Sequence, residues 1–554
     1  MMGMLPEQRQ PQFFSYHIHL ERRIRPDHPL RQIKDTLDLS FVIPLVKDHY
    51  GRCGHTSLDP RVLVKLMFLL FYYDIPSERE LMAQLSERLD WLWFLDFELD
   101  TEVPHHSVLS KARARWSSQV FERLFVRSVE QCVEAGLING RLLHVDSTTI
   151  KANASKDSVI KSSPEIVQAL RRAYQKEEQK LEMLPEPSAA VLPEPSAAVL
   201  PEPSAAVLPE PSVAVLPEPS VAVLPEPSAA VLPEPSAAVV PEPSAAGAEA
   251  RQQPDKGSSG CADKQTPVNR KHISQTDPQA ELARTKTGRT ELSYKEHRLV
   301  DDAHGVICAV VATPGSAGDA AQLPALIEQH QATTGLKLDS VTVAGDHHYG
   351  SASNYLYCEK QGISAHLASS SAQLKARGQF AVEEFIYDVQ SDRLRCPAGH
   401  HLVFHQHRTE EQVKVYLIEN PQLCAQCPLR QRCTKAAEGR SVKRHVLSQL
   451  LEELKAEAYS PSGYYSRKRR KHVMEGSFAD AANNHGLKRS RWRGLERQRI
   501  QGWIIAAVQN LRLLLHRSVK GPGPAGINVQ IGLSLGVKLR AKLFNRAYMC
   551  LESL

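Results

Sequence analysis

The sequence predicts an α/β protein, a mixed sheet with flanking helices preceded by an all-helical N-terminal domain. Three observations lead there. Apolar residues recur at helical spacing through residues 1–140. From Leu142 the pattern changes to short β-branched or aliphatic runs. Helical stretches then alternate with those runs. At 554 residues the chain has length for two or three domains, each with a buried core.

In the N-terminal part, Asp59 and Pro60 form a cap and first-turn pair, followed by Leu63, Leu66, Met67 and Leu70 on one face. Ser77 and Glu80 make a capping box for a second helix running through Leu81, Leu85 and Leu89. Tyr73-Asp74-Ile75-Pro76 joins the two. The pair reads equally as a helix-turn-helix-like unit or as part of a plain helical bundle.

Strands are expected over 142–145, 298–301, 306–312 and 340–344, with helices over 320–330 and 351–361. Between the first two strands, eight near-identical copies of Leu-Pro-Glu-Pro-Ser-Ala-Ala-Val fill residues 184 to about 246. Two prolines in every eight residues block helix and sheet ladders alike, and the period matches no solenoid. An extended, polyproline-II-like or disordered insert follows, read as an inert linker ahead of a partner-recruiting segment.

No apolar run approaches the roughly 18 residues of a membrane span; the best, 503–515, is interrupted by Gln509, Asn510 and Arg512. The N-terminus lacks a secretory pattern, which leaves the cytoplasm as the expected location. Six scattered cysteines (Cys53, Cys132, Cys261, Cys308, Cys358, Cys550) are then expected to be reduced and structural. Formal net charge is +6, but residues 461–500 hold eleven Lys or Arg against three acids, so the remaining chain is close to neutral. Positive charge concentrated in this way marks a polyanion partner.

Three carboxylates stand out. Asp146 ends an apolar strand and precedes Ser147-Thr148-Thr149; Asp346 leaves a second apolar strand into the turn His347-His348-Tyr349-Gly350. An acid so placed faces the carboxyl end of a sheet, where sites form. Glu475 follows the basic run Arg467-Lys468-Arg469-Arg470-Lys471 and precedes a helical stretch. Singly, each has a bland alternative as a cap or ion-pair partner. Together with a positive surface, hard oxygen ligands suit two divalent ions, Mg2+ or Mn2+, in phosphoryl transfer. Asp277 reads as a turn initiator, and Asp302 and Asp319 as connection or cap residues.

Cys396-Pro397-Ala398-Gly399-His400, then Cys424, Cys427 and Cys433 in a Cys-x2-Cys-x5-Cys array, offer four thiolates to a structural Zn2+ in a zinc-ribbon-like insertion; His400 or His405 is an alternative ligand. Next to Glu475, the basic run reads as a phosphate-contacting surface ahead of the plainer alternatives, a solvated charged face or a targeting-like signal.

Several segments in a fixed order resemble the DDE transposases of bacterial insertion sequences. They are Pro104-His105-His106-Ser107 with Arg115, His144-Val145-Asp146-Ser147-Thr148, Ser274-Gln275-Thr276-Asp277-Pro278-Gln279-Ala280, Gly345-Asp346 with Tyr349-Gly350-Ser351, Glu475-Gly476-Ser477-Phe478, His485-Gly486-Leu487, Arg493-Gly494-Leu495 and Asn510-Leu511. The resemblance covers nearly all of the chain outside the octapeptide insert. It implies an RNase H-like catalytic domain with Asp146, Asp346 and Glu475 as catalytic metal ligands. The matching chemistry is hydrolysis at the element ends, then attack of the 3′-hydroxyl on target DNA. Double-stranded DNA with terminal inverted repeats, target DNA and a second copy of the chain are the implied partners; no membrane is. The two rivals are an RNase H-like nuclease that does not join DNA and a non-catalytic DNA-binding descendant.

The expected organisation is a helical DNA-binding domain (1–135), with residues 40–120 reading the inverted repeats, and a catalytic domain in pieces (136–183, 251–375). The octapeptide insert (184–250), the cysteine insertion (376–460), a catalytic-domain helix with the basic run (461–520) and a tail (521–554) complete it. Two departures from the family pattern are His347-His348, at a position often small in relatives, and Ala481-Ala482, where a basic residue commonly follows the glutamate. The two histidines read as tolerated surface residues ahead of a DNA-contacting or metal-supporting role.

Overall fold

A computed structural model describes residues 19–50, 57–183 and 268–520, apart from 117, 286–287, 370, 372–373 and 376. The octapeptide insert, the 521–554 tail and Cys53, Cys261 and Cys550 lie outside the described residues.

The N-terminal segment is helical. The Asp59 carboxylate accepts from the backbone N–H of Arg61 at 2.8 Å and opens the helix Pro60–Tyr72, as its cap and first-turn proline predict. Apolar residues bury this helix on nearly every side, from Leu63 through Phe71, so it is a core helix. Ser77 caps the next helix, Glu78–Leu85, at the N–H of Glu80 (3.1 Å), but the Glu80 carboxylate bonds Gln84 and leaves the capping box half made. That helix stops at Leu85, and Leu89 starts a separate one, Leu89–Leu95, which corrects the expectation of one continuous helix. The corner between the first two is tied to the C-terminal part of the fold. Arg491 reaches Asp74 at 2.6 Å and stacks 4.5 Å from the ring centroid of Phe71. The pair therefore shares one hydrophobic core with the sheet and the last helix.

The main sheet is built from β1 (Leu142–Lys151), β4 (Glu281–Arg284), β5 (Thr290–Asp301), β6 (Ile307–Pro314), β7 (Thr342–Gly345) and β8 (Ser364–Leu367). The small pair β2 (Val159–Lys161) and β3 (His272–Ser274) stands apart from it. Pairing runs β6, β5, β1, β7, β8, with β5 antiparallel to β1 and β6 while β1, β7 and β8 are mutually parallel. Two strands are longer than the apolar runs suggest. β1 continues through polar residues to Lys151, so Asp146 lies within the strand and does not end it. β5 begins at Thr290, and its interior charges pair with each other and with residues far away in sequence. Arg298 is buried against Glu296 (2.7 Å), Gln509 (2.8 Å), Ser477 (3.1 Å) and the ring of Phe478.

Alternation along β1 sends Leu143 and Val145 into one layer with helices Leu323–Thr334, Ala352–Gln361 and Ser448–Ala458. His144 and Asp146 face the opposite layer, where the helices Pro461–Asn484 and Leu495–Lys520 pack. Ser460 caps Pro461–Asn484 with proline in its first turn, so the basic run and Glu475 belong to one 24-residue helix instead of a run followed by a helix. In Leu495–Lys520, Asn510 bonds the backbone N–H and C=O of Ile307, both at 2.9 Å. Asn510 thus fastens this helix to the edge strand β6, while Gln509 ties it to Arg298 of β5 and to the Pro461–Asn484 helix. No described helix is long and apolar enough to cross a membrane.

Residues between β8 and the glutamate helix form a second, antiparallel sheet: β9 (Ile386–Asp388), β10 (Arg393–Arg395), β11 (His401–Arg408), β12 (Val413–Ile418) and β13 (Ser441–His445), in sequential order. It has its own small core of Phe380, Phe385, Leu394, Leu402, Tyr416, Ile418 and Val442. Cys132, Cys308 and Cys358 are buried free thiols, each raised by burial.

Candidate active site

β1 and β7 are adjacent and parallel, with Leu143 opposite Val343 and His144 opposite Ala344. Asp146 lies two residues further along β1 and Asp346 just past the end of β7, near enough for the charge of Asp346 to act on Asp146. Gly345 allows this approach: a Cβ there would lie 2.7 Å from Leu367 and 3.0 Å from Val145. Asp346 then turns out of the strand, its Oδ1 accepting from the N–H of His348 at 2.9 Å. Tyr349 plugs the turn into the core, its hydroxyl 3.0 Å from Nδ1 of His297 and its carbonyl held by Asn354 at 2.9 Å. Burial lowers the pKa of His297 and leaves it neutral. Ser351 caps the helix that follows.

Asp146 is largely enclosed. Burial is the main reason its carboxyl sits above the ordinary range, the negative charge of Asp346 adds to the rise, and Arg470 opposes it. One oxygen accepts from the N–H of Ser147 at 2.8 Å; the other accepts from Nη1 of Arg470 at 2.6 Å. Asp319 belongs to the same surround. It accepts from the Ser147 hydroxyl at 2.9 Å and from Lys295 at 2.8 Å. Burial works against its charge, but the bond from Lys295 leaves its pKa lowered. A role for Asp319 beyond capping is invisible in sequence because the contact spans β1 and the loop after β6. Asp302 does more than make a connection, pairing with His144 at 2.8 Å and Arg469 at 2.7 Å. Asp277 is buried and accepts from the Tyr294 hydroxyl at 2.7 Å, holding the segment ahead of β4.

Glu475 is exposed on the Pro461–Asn484 helix, the element that delivers Arg470 to Asp146. Asp146, Asp346 and Glu475 do not gather into one tight cluster. Among the described residues, the trio of possible ligand atoms within 4.8 Å of one another is Asp346, His347 and His348. The basic run divides by helix phase. Arg467 bonds the Ala458 carbonyl and lies over the Tyr459 ring, Arg469 pairs with Asp302 and Arg470 with Asp146, whereas Lys468 and Lys471 are exposed. A sequence signal for Arg470 exists. With the helix started at Ser460-Pro461, Gly463, Ser466, Arg470, Met474 and Phe478 fall on one face, and four of these five are buried.

Cys396, Cys424, Cys427 and Cys433 all line one small cavity of the second sheet, together with His400, Phe380 and Arg440. Two tight turns carry them: Cys396 bonds His400 and Gly399 through its backbone, both at 2.8 Å, and the N–H of Cys427 bonds the Cys424 carbonyl at 3.4 Å. Burial raises the Cys433 thiol, Arg440 opposes this and the other three cysteines add to it. His405 is exposed on β11 and does not line the cavity.

Two family models match the chain. The first, described as a transposase domain, covers residues 18–115; the second, a transposase DDE domain, covers residues 395–515. No curated protein matches it. The first match spans the N-terminal helices, and the second spans Glu475, the basic run and the four cysteines, while Asp146 and Asp346 lie between them. A helical N-terminus, a mixed sheet with paired aspartates and two transposase segments in this order define a transposase. Both matches support a DDE transposase of an insertion-sequence family. Domains of this kind act on DNA and use divalent metals such as Mg2+.

Proposed function

We propose that this protein cleaves DNA at the ends of its element and joins the freed 3′-hydroxyl to target DNA, with Asp146, Asp346 and Glu475 holding two Mg2+ or Mn2+ ions. The observation that carries the proposal is Asp146 on β1 within reach of the charge of Asp346, which follows the parallel neighbour β7, with Asp146 held by a helix that bears both a basic run and Glu475. The donor set fits a hard divalent cation: two adjacent carboxylates, one largely buried, are balanced by a single guanidinium. Glu475 enters as the third ligand because it is an exposed carboxylate in the segment matched as a DDE domain. The pairing order β6, β5, β1, β7, β8, with β5 reversed, supports an RNase H-like reading of the sheet.

When bound, such ions activate the attacking oxygen and stabilise the leaving one. The chain's own residues do the positioning. Lys468 and Lys471 face solvent and are free to meet the phosphate backbone, which fixes register without reading sequence. Arg470 holds the Asp146 carboxylate in place and neutralises part of the charge that the two aspartates share. Recognition of the inverted repeats falls to residues 40–120, and a homodimer handles the two ends together. The four cysteines around their cavity are read as the ligands of one structural Zn2+, which would pin the second sheet.

The test is cleavage and strand transfer on DNA carrying the element's own ends and a labelled 3′ end, comparing the unmodified protein with Asp146→Asn, Asp346→Asn and Glu475→Gln. Joined product that disappears in each variant while DNA binding persists supports the proposal. Cleavage without joining makes the protein a nuclease, and binding without cleavage under either metal makes it a DNA-binding descendant.

A further inference from the structure

Asp346 is followed by two histidines whose ring centroids lie 3.9 Å apart, and the ligand atoms of all three residues fall within 4.8 Å of one another. His347 Nδ1 is 3.9 Å from Oδ2 of Asp346, close enough for both to face one ion. The turn that presents them is firmly held. Tyr349 is fully buried behind it, Asn354 grips its carbonyl, and Gly350 is pressed so closely to Ala368 that a Cβ would lie 1.9 Å from that carbonyl oxygen. Asp146 flanks the trio from β1, adding a second carboxylate.

We propose that His347 and His348 make the Asp346 position a mixed carboxylate–imidazole site that prefers a first-row transition-metal dication such as Mn2+, Co2+ or Zn2+ over Mg2+. The inference rests on the reading that Asp346 is a metal ligand and specifies which ion it takes. Imidazole nitrogen is a poor partner for Mg2+, which favours oxygen and water in a strict octahedron, a better one for Mn2+ and a good one for Co2+ and Zn2+. An ordinary all-oxygen site would leave the choice of ion to availability; two nitrogens bias it. The histidines are surface residues, partly exposed in one case and exposed in the other, so replacing them leaves the core intact.

Mn2+ is the probe. Its binding to the full chain, without DNA, is followed by electron paramagnetic resonance, with pulsed detection of nitrogen coupling and with Mg2+ as competitor. The unmodified protein is expected to show imidazole nitrogen coupling, and His347→Gln with His348→Gln is expected to abolish it. The preference for Mn2+ over Mg2+ should fall by roughly 10- to 100-fold, the scale on which changes around metal ligands act. Circular dichroism and melting of the double variant confirm folding. Bound Mn2+ without nitrogen coupling, and with a selectivity that the substitutions leave unchanged, overturns the inference while the carboxylate site stands, provided that Asp346→Asn abolishes binding. Failure of the unmodified protein to bind Mn2+ at all overturns both.

Discussion

The turn that carries Asp346 and the helix that carries Glu475 hold their carboxylates by different means. Around Asp346 the backbone is crowded: Gly345 and Gly350 sit where a Cβ would collide, and Tyr349 is locked into the core. Around Glu475 there is space, since a Cβ on the neighbouring Gly476 would meet nothing within 4 Å and the carboxylate itself is exposed. Sheet register therefore fixes the aspartate pair, while the glutamate is placed only by the phase of its helix and by how that helix docks through Ser466, Arg470, Met474 and Phe478. In the proposed site, one half is preset and the other is placed by its helix alone.

The largest effect tests whether both halves serve one reaction. Asp146→Asn and Asp346→Asn are expected to lower the cleavage rate by about three orders of magnitude, equivalent to the several kcal/mol a metal contributes to a phosphoryl-transfer transition state. Glu475→Gln should match them if the exposed carboxylate joins the aspartates when DNA is bound. A Glu475→Gln variant that cleaves at the normal rate would separate the helix from the chemistry.

Next in size is the crowded turn. In Gly350→Ala the new Cβ meets a backbone carbonyl that cannot swing aside, so a loss of about 1–3 kcal/mol in stability is expected, read as a lower melting temperature. Weaker metal binding should accompany it, because Asp346 moves with the turn. A variant as stable as the original would show that the turn is not held where the structure places it.

What was legible in the sequence follows the same division. Asp346 and the start of its turn were readable because an apolar strand, a glycine and a capped helix follow in close order. β5 was read too short because apolar periodicity ignores buried charges, and Glu296 and Arg298 are inside the protein with partners far away in sequence. The end of β1 is hidden for a related reason: Ser147 and Thr148 are half-buried hydroxyl residues and Thr149 is exposed, yet all three pair with β5. Helix phase turns Arg470 toward the protein, but its partner Asp146 is on a separate element, so no local pattern names that partner. The basic run looked uniform, whereas helix phase turns its three arginines to the protein and leaves its two lysines outside.

That contact gives a pH-dependent prediction. Asp146 and Arg470 are both mostly shielded, with side-chain exposures of 24% and 16%, and removing the guanidinium in Arg470→Gln leaves a carboxylate with less compensation. A destabilisation of about 2 kcal/mol is expected near neutral pH. The folded carboxyl already sits above its unfolded value, so the native state holds its proton longer and stability falls as pH rises from the unfolded toward the folded pKa. Removal of Arg470 lifts the folded value further. The gap between variant and original should therefore widen as pH rises through that window and narrow below it, where Asp146 is protonated in both states. Chemical denaturation of the metal-free protein across this range measures it, and a gap independent of pH would mean that Arg470 acts by packing alone.

The smallest effect probes the open half. Gly476 lies within a long helix, where glycine costs about 0.8–1 kcal/mol relative to alanine, and a Cβ there has empty space around it. Gly476→Ala should raise stability by about that amount. Gly476 also borders a groove of about 510 Å³ lined by Arg469, His472 and Arg512, next to Glu475. If DNA passes over this groove without touching the helix backbone, cleavage is unchanged and the gain in stability is the only result. A more stable protein that cleaves more slowly would mean that the backbone beside Glu475 is approached closely, with glycine providing the access, and the helix half of the proposed site would then be shaped for its substrate.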